Sequence, residues 1–255
     1  MAAVLEVKNV EKVYGSKGNA TRALAGVTFN VQQGDYVGIM GASGSGKTTL
    51  LNCIATIDAP TSGTIAIGSQ DVTAMSSRQL ADFRRDMLGF VFQDANLLDT
   101  LTARENIALP LTIDRVNPRE IQERVDRIAT TLGIDGILNK YPYQVSGGQR
   151  QRVAAARAIV TDPKLVLADE PTGALDSKNA KLLLECFDML NVRLGATILM
   201  VTHDSFAASY CKRVLFIRDG RVFTEVVRGN ATRRQFFDRI MEVVAIIGGE
   251  DEDAC

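Results

Sequence analysis

The chain has 255 residues, a formal net charge of −1 and an apolar fraction of 46%. That is room for one large α/β domain, or a core with a smaller lobe, and ample apolar material for a buried interior. The balanced charge gives no argument for a nucleic-acid surface, and no apolar run approaches bilayer-spanning length, residues 243–247 being typical of the longest. Glu6, Lys8, Glu11 and Lys12 interrupt the N-terminus, against a signal peptide. Cys53, Cys186, Cys211 and Cys255 are widely spaced and read as reduced thiols of a cytosolic protein. His203 is the single histidine, which argues against a zinc site.

Residues 5–10 alternate apolar and polar, as a half-buried strand does, and residues 24–31 repeat the pattern. Gly34-Asp35 then turns into a short apolar run, residues 36–40, that reads as a buried strand. Directly after that run the chain fits G-x-x-x-x-G-K-[ST], the phosphate-binding loop: Gly41, Ala42, Ser43, Gly44, Ser45, Gly46, Lys47 and Thr48, with Thr49 opening a helix over 49–54. Glycines let backbone N–H groups turn inward into a nest for phosphate oxygens, and the helix start adds unpaired N–H groups and a positive dipole end. Lys47 supplies a point charge for the β- and γ-phosphates of ATP, and Thr48 a hydroxyl for Mg²⁺. A dinucleotide turn fits less well, because Lys-Thr stands where its third glycine would be.

Residues 64–67, entered through Pro60-Thr61-Ser62-Gly63, read as another strand, 76–85 as a short helix, and 89–92 as a strand ending at Gln93. Asn117-Pro118-Arg119-Glu120 gives an N-cap, a proline at the first helical position and a glutamate in capping-box spacing. Ile121, Val125, Ile128 and Leu132 then fall on one face. Residues 165–168 and 197–201 are near-continuous apolar runs, as in strands covered on both faces, with a helix over 181–190 between them.

Asp169 and Glu170 close the first of those runs. Adjacent carboxylates at a buried strand end are costly without a cation, which Mg²⁺ bound with ATP supplies. Asp169 is expected to hold the metal, and Glu170 to polarise the attacking water. The alternative is a solvated Asp-Glu turn before Pro171. Ser146, Gly147, Gly148 and Gln149 open a helix over 150–159. Ser146 and Gln149 have capping-box spacing, but the same geometry presents a hydroxyl and N–H groups to an anion; spacing alone leaves both readings open.

Residues 41–48, Gln93, 145–149, 165–170, Ala174-Leu175-Asp176 and His203 occur in the order and spacing of the ATP-binding cassette (ABC) ATPases, which residues 4–228 resemble. The resemblance implies an α/β fold: a RecA-like P-loop core, an N-terminal antiparallel β subdomain and a helical subdomain inserted at about 94–160. It implies that Tyr14 stacks on adenine, and that Gln93 binds Mg²⁺ and the attacking water and senses a membrane partner. Ser146, Gly147 and Gly148 would close on the γ-phosphate of the other subunit, Asp176 would communicate between sites, and His203 would contact the γ-phosphate. Val145 stands where leucine is usual, a small apolar change. Expected partners are a second copy of the chain and an integral-membrane permease, at the cytoplasmic face of a bacterial membrane, with no nucleic acid.

A finer resemblance is to the lipoprotein-release and macrolide-export group, on Asn96-Leu97-Leu98, Thr100-Leu101-Thr102, Glu105-Asn106-Ile107 and the stretch from Asp169 to Asp176. Within it the chain looks like the bacitracin-resistance (Bce-type) ATPases, on residues 97–102, 207–211, 216–220 and 236–249. That implies resistance to cell-wall-targeting peptide antibiotics and a sensor histidine kinase as a further partner, with lipoprotein release, macrolide export, or gating of a partner without transport as alternatives. Residues 94–111 come after Gln93, where permeases dock in this family; Leu97, Leu98, Leu101, Ile107 and Leu109 either line such a groove or fill the helical lobe's own core. Residues 1–230 are expected to form the cassette, followed by an amphipathic helix over 233–247 on Phe236, Ile240, Val243, Val244 and Ile247, and then a mobile acidic tail.

Overall fold

The computed structural model describes residues 3–15 and 19–252. In chain order the elements are β1 (Ala3–Tyr14), β2 (Thr21–Gln32), β3 (Tyr36–Met40), α1 (Lys47–Ile54), β4 (Ser62–Ile67), β5 (Gln70–Asp71), α2 (Ser77–Met87), β6 (Leu88–Phe92), α3 (Ala103–Ile113) and α4 (Pro118–Leu132). Then come α5 (Gly147–Ile159), β7 (Leu165–Asp169), α6 (Ser177–Leu194), β8 (Ile198–Val201), α7 (Ser205–Ala208), β9 (Arg213–Arg218), β10 (Arg221–Val227) and α8 (Arg233–Glu252). The chain divides into two compact units, one of Met1–Ser76 with Leu199–Cys255 and one of Ser77–Ile198.

The first unit carries an antiparallel sheet in the order β2-β1-β4-β5. Alternation puts Leu5, Val7 and Val10 of β1 inside with Val27 and Val31 of β2 and Ile65 and Ile67 of β4. The β1 register slips near Asn9, whose φ is 48°. Gly63 of β4 lies against that bulge so closely that a Cβ there would sit 2.3 Å from the Asn9 carbonyl oxygen. A second set runs β10-β9-β3-β8 in this unit. β3 is buried at all five residues and pairs in parallel with β9, as its unbroken apolar run requires. β9 and β10 form a hairpin through Asp219 and Gly220, at φ 51° and 70°. Positive φ at both central residues is what a twisted two-residue hairpin needs.

The final helix starts in a capping box: Gln235 N donates to Thr232 Oγ1 and Thr232 N to Gln235 Oε1. Phe236, Ile240 and Ile247 are buried and Val243 and Val244 half-buried. The Arg233 guanidinium, at the helix start, lies 4.4 Å from the Tyr210 ring centroid, and Arg239, further along, donates to the Arg228 carbonyl. The helix runs through Gly248-Gly249 to Glu252, past the expected start of a mobile tail. Two glycines at about 1 kcal/mol each do not end a helix already anchored by packing. Residues 253–255, with Cys255, lie outside the described residues.

In the second unit β6 and β7 pair in parallel, and α3, α4 and α5 form a helical cluster around Ile107, Leu111, Val125, Ile128, Leu132, Val153 and Ala154. Asn117 caps α4 through the Arg119 N–H, and Gly133, at φ 61°, closes it. Gly89 lets α5 approach β6, because a Cβ there would lie 2.1 Å from the Ala158 carbonyl oxygen.

Candidate functional site

The phosphate loop lies in the first unit, between β3 and α1. Gly44 and Gly46 take φ of 79° and 103°, conformations that L side chains rarely adopt. A Cβ on Gly41 would meet Ile217 O at 2.2 Å, and one on Gly46 would meet Ala23 O at 2.5 Å. The loop is thus wedged between β9 and β2, and the β9–β10 hairpin tip completes the wedge: Gly220 N donates to Ser45 O, and Ala25 N to Gly220 O. Nothing in the sequence said that the Asp219-Gly220 turn props the phosphate loop.

α1 begins on Gly46 with no side-chain cap, as a helix start that is to receive an anion does. Lys47 is 8% exposed and its Nζ donates to Gly41 O and Ala42 O, 2.8 Å each. Ser45 Oγ is buried and has no hydrogen-bond partner among the described residues. A buried ammonium, an orphaned hydroxyl and an uncapped helix start are together suited to an anion. Thr48 is exposed and Thr49 half-buried at the same helix start; His203 is exposed just after β8. Tyr14 ends β1 with 42% of its surface exposed.

The second unit holds the carboxylates. Asp169 is the last residue of β7, its Oδ1 shielded from solvent. Glu170 comes next at φ 45°, a left-handed conformation costing about 1–3 kcal/mol in a non-glycine residue and persisting where the surroundings impose it. The turn is closed by Gly173 N donating to Glu170 O at 2.9 Å. Gln93 reaches the same turn: a Cβ on Gly173 would lie 3.0 Å from Gln93 Cδ. So Gln93, Asp169 and Glu170 are brought to neighbouring strand ends, β6 and β7. The loop after Gln93 is tied to α5 by Gln151, whose side chain donates to the Phe92 and Gln93 carbonyls, and by Arg157, which donates to Ala95 O and Asn96 O. Asn106, fully buried, takes the Leu98 N–H and donates to three carbonyls, fixing residues 98–102. None of these three side chains was assigned a role in the site by sequence reasoning, because each acts on loop carbonyls that a sequence does not display.

Ser146 caps α5 in a complete capping box with Gln149. Gly148 packs on α6 so tightly that a Cβ would meet Asn179 Oδ1 at 2.3 Å. Asn179 in turn binds Asp176, the α6 N-cap, through its backbone N–H at 2.9 Å and its side chain at 2.6 Å. Those two bonds from Asn179 hold the Asp176 carboxyl below the usual carboxylate range. Ser146, Gly147, Gly148, Gln149 and Asp176 therefore form one cluster, joined by Asn179, which no motif flagged.

A family model described as "ABC transporter" matches residues 24–173, more than half of the chain. The chain belongs to the ABC transporter ATPases. It is 49% identical over 251 residues to the bacitracin export ATP-binding protein BceA of Halalkalibacterium halodurans, covering 98% of this chain and 99% of that one. It is 42% identical over 222 residues to the macrolide export ATP-binding/permease protein MacB of Hyphomonas neptunium, covering 87% of this chain but 34% of that longer one. Among solved structures, the dimeric post-hydrolysis state of the cassette MJ0796 bound to ADP and Pi aligns with a TM-score of 0.78 and 39% identity, over 88% of this chain and 98% of that one. The expected ABC ATPase fold, with its antiparallel β part and helical part, is confirmed, and the chain is the ATP-hydrolysing subunit of an ABC transporter. Cassettes of this family form dimers and work with membrane permeases. Among the described residues no helix is long and apolar enough to cross a membrane.

Proposed function

We propose that this ATPase powers a separate permease in the defence of a bacterium against peptide antibiotics that seize lipid-linked cell-wall intermediates. The observation that carries this is the extent of the likeness to a bacitracin exporter. It covers 98% of this chain and therefore α8 as well as the cassette, whereas the macrolide exporter matches 87%. Macrolide export or lipoprotein release stays the second reading on that shorter match.

In this reading ATP lies on Gly41, Ser43, Gly44, Ser45, Gly46, Lys47, Thr48 and Thr49, with adenine against Tyr14. Mg²⁺ fits the donor set, which is all hard oxygen or amide: the Thr48 hydroxyl, the Gln93 amide and Asp169, whose Oδ1 is buried. The ion, once bound, neutralises phosphate charge. Glu170 takes the proton of the attacking water, with Gln93 orienting that water and His203 contacting the γ-phosphate. Ser146, Gly147, Gly148 and Gln149 serve the nucleotide of a second copy, and Asp176 links the two sites. The protein sits on the cytoplasmic face of the membrane, beneath the permease, with a sensor histidine kinase as a further partner.

A groove of about 410 Å³ in the second unit supports permease docking. Phe90, Phe92, Leu109, Pro110, Ile113 and Arg157 line it. Of the other residues in the 94–111 stretch, Ile107 is spent on the helical cluster's own core, whereas Leu98 is 47% exposed. The stretch thus divides between packing and a surface for a partner.

The test is made in the cell. Deleting the gene, or changing Glu170 to Gln, raises sensitivity to bacitracin-like or lantibiotic peptides and leaves macrolide tolerance and lipoprotein sorting unchanged. Unchanged peptide sensitivity across a representative panel, with the protein expressed, overturns the peptide assignment.

A further inference from the structure

Tyr14 ends a strand and is substantially exposed, yet its ring is held by polar contacts. Its hydroxyl donates to Asp58 Oδ2 at 2.7 Å. The other oxygen of the same carboxylate accepts from Lys12 Nζ at 2.6 Å, and Lys12 also donates to Ala59 O at 2.7 Å. That ammonium lies 4.8 Å from the Tyr14 ring centroid. The Lys12 side chain is only 12% exposed, so one face of the ring is covered by a cation fixed in place.

Asp58 reaches this position through an unusual helix exit. Thr56 adopts φ 56°, a left-handed conformation that is a genuine outlier for a β-branched residue. The N–H groups of Ile57 and Asp58 both converge on Asn52 O, at 3.0 and 3.2 Å. Strain of this kind persists where surrounding contacts impose it, and it collects at functional sites. The hydrogen bond from Lys12, followed by that from Tyr14, holds the Asp58 carboxyl below the usual carboxylate range, so it stays charged at neutral pH.

We propose that Asp58, with Lys12, is a positioning device that presets the Tyr14 ring as a platform for the purine base. The inference rests on Tyr14 being the adenine contact, as proposed above. A ring already fixed loses less conformational freedom when a base stacks on it. A cation drawn to one face of its π-cloud leaves the opposite face for the base. Asp58 and Lys12 never touch the nucleotide; they act through Tyr14.

The experiment measures the Kd of ATP and of inorganic tripolyphosphate, by calorimetry on the purified full chain. Asp58→Ala weakens ATP roughly three- to tenfold, the range for one lost hydrogen bond, and leaves tripolyphosphate unchanged. Tyr14→Phe, which keeps the ring but not the tether, gives a similar loss, and the double variant is no weaker than either single one. If Asp58→Ala does not fold, Lys12→Met and Tyr14→Phe carry the same expectation. Equal weakening of ATP and tripolyphosphate, or no weakening of either, overturns the proposal. Tyr14→Ala separates it from the reading beneath it. If Tyr14→Ala weakens ATP alone while Asp58→Ala does not, only the positioning role fails. If Tyr14→Ala leaves ATP unchanged, the adenine contact and the positioning role fail together.

Discussion

Two glycine-rich stretches in this chain each open a helix, and they do it in opposite ways. Before α1, Gly46 sits in the left-handed region with no side-chain cap, and a buried lysine is folded back on the loop carbonyls. Before α5, Ser146 and Gln149 satisfy each other in a full capping box. The first has no side-chain cap at Gly46 and so suits an anion. The second is complete without one, and its glycine faces α6 rather than an empty nest. A helix start that must bind a ligand is left open by its own chain; one that only meets a ligand on assembly has to be stable by itself. That difference fits a phosphate loop used within one copy and a signature stretch offered to another.

The largest expected effect lies outside both stretches and separates binding from hydrolysis. Glu170→Gln lowers turnover about 10²–10⁴-fold, the usual worth of a general base, while the Kd for ATP is kept; near-normal hydrolysis with the permease present contradicts its role. Next, Gly46→Ala breaks the open helix start, because both the φ of 103° and the Ala23 carbonyl at 2.5 Å oppose a Cβ. It costs more than about 1 kcal/mol of stability and weakens ATP binding by the monomer roughly tenfold or more, read by thermal unfolding and calorimetry. Gly148→Ala strikes the closed start instead. Turnover falls roughly tenfold, about 1.4 kcal/mol, monomer affinity for ATP is unchanged, and Asn179→Ala in the same chain restores part of the rate by removing the atom the new methyl meets. The smallest effect is that of Gln149→Ala, which removes half of the capping box and lowers the unfolding free energy by about 0.5–1 kcal/mol.

The two stretches also differ in how legible they were. The phosphate loop was readable because its chemistry is local: β3, eight consecutive residues and α1 carry it all. Asp169 was readable for the same reason, as the polar end of an apolar run. At Ser146 the capping box and an anion site require the same residues at the same spacing, and only the family resemblance chose between them. The supports of each stretch were not legible. Gly220 beneath Ser45, Asn179 against Gly148, and Asp58 beneath Tyr14 are 175, 31 and 44 positions away in sequence, and periodicity carries no information over such separations. The end of α8 was misjudged because two glycines and a run of acids read as a stop, whereas anchoring by Phe236, Ile240 and Ile247 carries the helix through them.

The division of labour between the two stretches is tested most directly on Glu170→Gln with ATP, by measuring molecular mass with light scattering. If the signature stretch serves the partner's nucleotide, this variant forms a dimer only when ATP is present. Adding Ser146→Arg then abolishes that dimer while the monomer's Kd for ATP stays the same. A Ser146→Arg protein that still dimerises with ATP, or that loses ATP affinity as a monomer, contradicts a site shared between two copies.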